Sequence, residues 1–172
     1  MDSTTRGLDT IDDVEASGMP VLDLERFLPY RLSLLANTVS RLLARLYDQE
    51  HGLTVAEWRL IAILARFGPL SANDVCDRSA MDKVRVSRAV SRATGAGLVD
   101  RQIDGQDRRR SVLSLTPRGR AIHDHVVPLA LDRQEQVLAG LSEEEREQLS
   151  LLLDKLLTNA VRAAPRDHIS AD

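Results

Sequence analysis

Residues 71–119 place the tightest limits on how this chain can fold. Two short stretches with helical periodicity are followed by two stretches with strand-like alternation, which flank a turn rich in arginine. Between Arg78 and Arg120 the sequence has eleven arginines and lysines against four aspartates, a balance of +7, whereas the whole chain of 172 residues carries −3. This basic block indicates a surface that faces a polyanion such as nucleic acid. A solvated face paired with local aspartates is the alternative.

The order of elements in the block is typical of a helix-turn-helix followed by a wing. Ser71 to Asp74 form an N-cap signature for a helix to about Asp77, and Asp82 can cap a second helix over residues 83–96. The inner face of the second helix is expected to use Val84, Val86, Ala89, Val90 and Ala93. The outer face carries Lys83, Arg85, Ser87, Arg88, Ser91 and Arg92. Strands over 99–103 and 111–116 predict a β-hairpin around the arginine-rich turn.

Leucine-rich helical patterns flank this block on both sides. A long helix is predicted over residues 23–51, with a kink or a helix start near Pro29. Its end at Gly52 is followed by a capping box of Thr54 and Glu57, which opens the next helix. Ser142 opens a C-terminal helix with leucines between residues 149 and 157 on one side. The leucine-rich faces of these helices are too apolar to remain exposed to solvent.

Several function classes are excluded by what the sequence lacks. The chain has no phosphate-binding loop, glycine-rich nucleotide turn or nucleophile elbow, so we predict that it is not an enzyme and has no cofactor. His123 and His125 point apart on a helix, so no metal site is predicted from them. No apolar run approaches the roughly 18 residues of a membrane span, and a signal peptide is lacking, so a cytoplasmic location is expected. The single cysteine, Cys76, excludes an internal disulfide and is expected to be a small core residue.

Three groups of residues, taken in order, resemble the MarR family of winged helix-turn-helix transcriptional regulators. The first is Leu53-Thr54 with Glu57-Trp58, and the second is Val86-Ser87-Arg88-Ala89-Val90-Ser91-Arg92 leading to Gly97-Leu98-Val99. The third is Asp107-Arg108-Arg109 followed by Val112-Leu113-Ser114-Leu115-Thr116-Pro117-Arg118-Gly119. The resemblance covers residues 28–157, and it departs from the family at Ala93-Thr94-Gly95, where leucine and charged helix formers are usual. A glycine there costs a helix interior about 1 kcal/mol.

The resemblance implies a mainly α fold with a small β-hairpin wing, in which a winged helix-turn-helix domain is flanked by N- and C-terminal dimerisation helices. The expected organisation is a flexible N-terminal arm over 1–22, a dimerisation and ligand helix over 23–51, the DNA-binding domain over 52–119, C-terminal dimerisation helices over 120–162 and a flexible tail over 163–172. The implied partners are double-stranded operator DNA, a second copy of the chain and a small-molecule effector, with no membrane.

The resemblance also implies roles for individual residues. The predicted DNA-binding residues are Lys83, Arg85, Ser87, Arg88, Arg108, Arg109 and Arg110. Arg85 and Arg88 are expected to reach base edges in the major groove, and Arg109 a narrow minor groove. Arg92 is expected to brace the wing through a salt bridge to Asp107, and Arg88 is the alternative for this role. Half-sites of a pseudo-palindromic operator are expected about one helical turn apart.

Most relatives implied by the resemblance are repressors released by a small anionic molecule, often an aromatic acid or its CoA thioester. The predicted ligand-binding residues are Arg31, Ser33, Asn37, Arg41 and Trp58. A solvated helix face is the alternative for the first four, and a core position is the alternative for Trp58. Two further alternatives stay open: a redox- or metal-responsive regulator of the same fold, and a structural helical dimer that does not bind DNA.

Overall fold

A computed structural model describes residues 21–79, 81–103 and 111–163. The helices are α1 (Leu28–His51), α2 (Val55–Phe67), α3 (Ala72–Ser79), α4 (Lys83–Gly95), α5 (Pro117–Val137) and α6 (Glu143–Ala163). The strands are β1 (Leu70–Ser71), β2 (Val99–Ile103) and β3 (Ser111–Leu115). The predicted fold class, mainly helical with a small β wing, is therefore confirmed. No helix in the described ranges is both long and apolar enough to cross a membrane.

The helix boundaries follow the capping signals in the sequence. Gly52 ends α1 with a φ of 63°, in the left-handed region that suits glycine. Thr54 and Glu57 form the predicted reciprocal capping box of α2. The side chain of Asp82 accepts a hydrogen bond from the Arg85 N–H at 2.7 Å and starts α4. Thr116 caps α5, whose first residue is a proline. These local predictions are confirmed because each depends on residues within one turn of helix.

The two prolines in helical patterns behave differently. Pro29 is the second residue of α1, so the proline marks a helix start, one of the two predicted outcomes. Pro128 lies inside α5, which continues past it to Val137. The chain divides between Asn37 and Thr38 into two compact units. Leu34 and Leu35 in the first unit are 54% and 57% exposed.

The sheet has three antiparallel strands in the order β1-β3-β2. The predicted hairpin of β2 and β3 is present, with Val99 opposite Leu115 and Ile103 opposite Ser111. The short strand β1 was not predicted; it pairs Leu70 with Leu113. The arginine-rich turn, residues 104–110, lies outside the described residues, as do most of the predicted arm and tail.

The core of the second unit lies where α2, α3, α4 and the sheet meet. Its fully buried members include Leu60 and Ile61 of α2, Val75 of α3, Val86 of α4 and Leu113 of β3. The prediction that Val84 belongs to the inner face of α4 is wrong, because its side chain is 60% exposed. Cys76 is half-buried and packs against this core.

Candidate nucleic-acid interface

One face of α4 is built for packing and the opposite face is open to solvent. Val86, Ala89, Val90 and Ala93 are buried. The exposed side chains in the same helix are those of Lys83, Val84, Arg85, Ser87, Arg88, Ser91, Arg92 and Thr94. A helix that packs through small apolar residues and presents arginine, lysine and serine outwards has the composition needed to contact phosphates and guanine edges.

The exposure of Val84 adds a residue that the sequence interpretation missed. Val84 lies between Lys83 and Arg85, both of which are also exposed. An apolar side chain on such a face can contact the methyl group of thymine, which marks this base in the major groove. Helical periodicity could have revealed this exposure. Val84 precedes buried Val86 by two residues, so the two side chains lie about 200° apart around the helix axis.

A cleft of about 490 Å³ lies between α3, α4 and the strands of the wing. Lys83, Ser87 and Ser91 line it from α4, and Arg101 lines it from β2. The Arg101 Nε–H donates to the Ser111 hydroxyl oxygen at 3.0 Å, which positions the guanidinium across the hairpin. Two cations and four hydroxyl groups around one cleft suit a phosphate group. Arg101 was not among the predicted DNA contacts, because its place beside α4 depends on the hairpin.

An ion pair between a buried carboxylate and an exposed guanidinium group fastens α4 to α2. The Glu57 side chain is 4% exposed, and one of its carboxylate oxygens lies 2.6 Å from Arg92 Nε. The other oxygen accepts from the Thr54 N–H at 2.7 Å and from the Thr54 hydroxyl at 2.8 Å. The same carboxylate therefore caps α2 and holds the C-terminal half of α4.

The start of α5 is fastened to the turn that follows α4. The Thr116 hydroxyl donates to the Gly97 carbonyl at 2.8 Å, and an Arg118 N–H donates to the Ala96 carbonyl at 3.1 Å. Gly119 is buried here, and a Cβ at this position would collide with the carbonyl oxygen of Leu98. The chain leaving the wing is thus held directly against the end of α4.

The wing contacts predicted from the sequence fall on residues that are not described. Arg108, Arg109, Arg110 and Asp107 all lie in the segment 104–110, outside the described residues. Arg92 pairs with Glu57, and its predicted brace to Asp107 stays a prediction.

The predicted ligand-binding residues are distributed over both compact units. In the first unit, Arg31, Ser33 and Asn37 are exposed. In the second unit, exposed Arg41 donates to the Thr38 hydroxyl at 3.3 Å. Half-buried Trp58 has two aromatic neighbours.

Trp58 stacks on Tyr47 at 5.5 Å between ring centroids and on His123 at 6.0 Å. Burial raises the pKa of the Tyr47 hydroxyl, with a smaller increase from Asp48 and an opposing effect of Arg59. The tryptophan is therefore part of an aromatic stack that joins α1, α2 and α5.

A second cavity with a basic lining lies between α1 and α5. It has a volume of about 330 Å³ and is lined by Leu42, Arg45, Leu46, Gln49 and Arg133. Two guanidinium groups beside leucine side chains suit a small anion with an apolar body. The sequence interpretation missed this cavity because Arg133 comes from a distant helix.

The likeness to known proteins extends over most of the described chain. A family model described as MarR family matches residues 51–110. The transcriptional regulator FarR of Neisseria gonorrhoeae is 31% identical over 107 residues, which are 60% of this chain and 69% of the relative. The homoprotocatechuate degradative operon repressor of Escherichia coli is 27% identical over 109 residues, 63% of this chain and 74% of the relative.

A solved structure extends this likeness to the fold. BpsR of Bordetella bronchiseptica, whose DNA binding is regulated by 6-hydroxynicotinic acid, is 25% identical. It superposes with a TM-score of 0.72 over 80% of this chain and 97% of its own. These relatives are regulators and not enzymes, in agreement with the sequence prediction. The chain belongs to the MarR family of transcriptional regulators.

Proposed function

We propose that this regulator is a homodimeric repressor that binds a pseudo-palindromic operator and releases it when a small anionic aromatic acid, or its CoA thioester, is bound. The proposal of DNA binding rests on the two faces of α4, one buried and one exposed and basic. Its buried face fixes the helix in the fold, while Lys83, Arg85, Ser87 and Arg88 are all exposed on the other side.

Each exposed residue of α4 has a role that suits its chemistry. Arg85 and Arg88 read guanine edges, because a guanidinium can pair with guanine through two parallel hydrogen bonds. Lys83 and Ser87 contact phosphates beside them, together with Arg101 in the cleft. Arg108, Arg109 and Arg110 of the wing enter the minor groove, and Asp107 and Arg92 orient that turn.

A second copy of the chain would cover the apolar side chains that α6 leaves in water. Leu151, Leu157 and Val161 are 61%, 65% and 68% exposed. Large apolar side chains exposed on one helix are typical of an interface between subunits. Leu157→Glu is expected to shift sedimentation toward the monomer, whereas the control Lys155→Glu on the same helix leaves the dimer intact. A dimer that persists in Leu157→Glu would contradict this assignment.

The effector class is supported by two of the relatives. The Escherichia coli relative represses a homoprotocatechuate degradative operon, and BpsR responds to 6-hydroxynicotinic acid. Arg31, Ser33, Asn37, Arg41 and Trp58 are the proposed ligand contacts. The cavity lined by Arg45 and Arg133 offers a second place for a carboxylate. To release DNA, an inducer must have a higher affinity for the conformation that does not bind DNA than for the conformation that does.

The DNA-binding proposal is tested with the purified protein and the DNA upstream of its own gene, at two salt concentrations. Salt-sensitive and sequence-selective binding is expected. Arg85→Ala and Arg88→Ala should each weaken selective binding by about 1–3 kcal/mol. Arg162→Ala, an exposed arginine near the end of α6, is the matched control and should leave affinity unchanged. Equal losses in all three variants would reject the assigned face of α4.

The effector proposal is tested by adding aromatic acids and their CoA thioesters to the preformed complex. 6-Hydroxynicotinic acid and homoprotocatechuate are the first probes, and release of DNA by one of them is expected. Direct binding of the active compound is then compared in Arg31→Ala, Asn37→Ala, Arg41→Ala and Trp58→Ala. Unchanged affinity in all four variants would remove these residues from the ligand site.

A further inference from the structure

Three side chains from two helices converge at the end of α1. Glu50 and His51 are the last two residues of α1, and His125 lies in α5. His125 Nε2 lies 2.8 Å from Glu50 Oε2, and His51 Nε2 lies 4.0 Å from the same oxygen. The three possible ligand atoms all lie within 4.8 Å of one another. The imidazole rings meet edge to face, with centroids 5.5 Å apart.

We propose that Glu50, His51 and His125 bind a divalent transition-metal ion of the zinc type. Imidazole nitrogen and carboxylate oxygen are ordinary zinc ligands, and three protein ligands leave a fourth position for water or another donor. Two donors that each lie about 2.1 Å from a tetrahedral zinc ion are about 3.4 Å apart. The observed separations of 2.8 and 4.0 Å lie on either side of that value, so small side-chain rotations complete the site.

The buried ring nitrogen of His51 distinguishes this cluster from an ordinary group of charged side chains on a protein surface. Its Nε2 is buried and has no hydrogen-bond partner among the described residues. A buried ring nitrogen normally has a partner, and an unpaired one requires a reason. A metal ion shared with Glu50 and His125 supplies that partner. The exposed side chains of Glu50 and His125 leave the ion a route from solvent.

The neighbouring histidine supplies an internal comparison. His123 Nδ1 lies 2.8 Å from its own neighbour, Asp124, and its ring stacks on Trp58. His123 and His125 therefore have separate contacts, as predicted for side chains that point apart on a helix. The approach of Glu50 and His51 to His125 depends on how α1 packs against α5, which helical periodicity does not reveal.

The position of the ion would connect it to the DNA-binding unit. His51 also lines a cavity of about 220 Å³ together with Glu57 and Arg92, the pair that holds α4. A bound ion joins the last turn of α1 to α5, whose start is fastened to the end of α4. This inference concerns metal binding itself, so it does not depend on the proposed operator or aromatic effector.

The test is calorimetric titration of zinc ions into the full-length protein after chelator treatment. One ion per chain with micromolar or tighter affinity is expected. His125→Gln and Glu50→Gln should each weaken binding at least tenfold, since even indirect partners of zinc ligands change affinity by about 10–100-fold. His123→Gln is the matched control, and its affinity should equal that of the wild type. His125 is exposed, so its replacement tests binding without disturbing the core.

Cobalt(II) supplies a second readout that identifies the donor atoms. Coordination by two imidazoles and a carboxylate gives visible d–d bands without strong thiolate absorption in the near ultraviolet. The loss of these bands in His125→Gln, and their retention in His123→Gln, would support the site. A thiolate band from Cys76, full affinity in His125→Gln, or an equal loss in His123→Gln would overturn it.

Discussion

Removal of the Glu57 carboxylate tests the contact that holds α4 to the rest of the domain. Glu57 is 3% exposed and receives hydrogen bonds from the Thr54 N–H and hydroxyl, while Arg92 Nε lies 2.6 Å from its other oxygen. Glu57→Ala therefore removes the glutamate half of the capping box of α2 and the ion pair to α4 together. Arg92→Ala removes the ion pair and leaves the capping box of α2 intact.

The expected losses follow from the surroundings of each partner. Loss of a capping interaction costs about 1 kcal/mol. A hydrogen bond to a charged group contributes about 1.5–3 kcal/mol, but Arg92 is 63% exposed, so solvent screening reduces this contribution to about 1 kcal/mol. Glu57→Ala also removes a buried methylene group, so it should lower the free energy of unfolding by about 2–4 kcal/mol in total. Arg92→Ala should lower it by about 1 kcal/mol.

Urea unfolding followed by tryptophan fluorescence measures both losses, because Trp58 is the single tryptophan and is adjacent to Glu57. All variants are compared at one protein concentration, since association of the proposed dimer would contribute to stability. The double variant should be less destabilised than the sum of the single variants, by about 1 kcal/mol of coupling. Strictly additive losses would refute the ion pair. A Glu57→Ala loss no larger than that of Arg92→Ala would refute the dual role of the carboxylate.

Two other predictions concern glycine positions and alkaline pH. Gly119→Ala should lower the free energy of unfolding by about 1–3 kcal/mol, because the added Cβ would collide with the Leu98 carbonyl oxygen. Gly95→Ala should raise the free energy of unfolding by up to about 1 kcal/mol, because the added Cβ would lie in open space. Urea unfolding of both variants measures the two changes. Burial raises the pKa of the Tyr47 hydroxyl above 10.0 in the folded state. The folded state is therefore fully stabilised by the neutral hydroxyl below about pH 10, and this stabilisation is lost as the pH rises through the folded-state pKa. Tyr47→Phe should therefore show a smaller alkaline loss of stability than the wild type, and identical pH profiles of unfolding would contradict this.

Sequence reasoning was most accurate where the relevant contacts are local. The caps at Thr54, Asp82 and Thr116 were predicted because donor and acceptor lie within one helical turn. The strand β1 was missed because it has two residues and exists only through its pairing with β3. The error at Val84 came from treating an apolar residue as buried without following its angle around the helix.

The residues of the candidate site could be predicted only in part, for the same physical reason. The exposed face of α4 follows from helical periodicity, so Lys83, Arg85 and Arg88 were found from the sequence. The Glu57–Arg92 pair joins two helices, and its partners have no periodic relation that would reveal it. The contact of Glu50 with His125 likewise depends on how α1 and α5 pack.

The connections of α4 indicate how an effector could act on DNA binding without contacting it. Glu57 joins the C-terminal half of α4 to α2, and Arg118 joins the end of α4 to α5. Trp58 lies one residue after Glu57 and stacks on His123 of α5. A ligand that changes the packing of α2 against α5 must therefore move α4, or else break one of these contacts. Since the proposed dimer would bind both half-sites only at one spacing, a small displacement of α4 in each subunit would be enough to favour release.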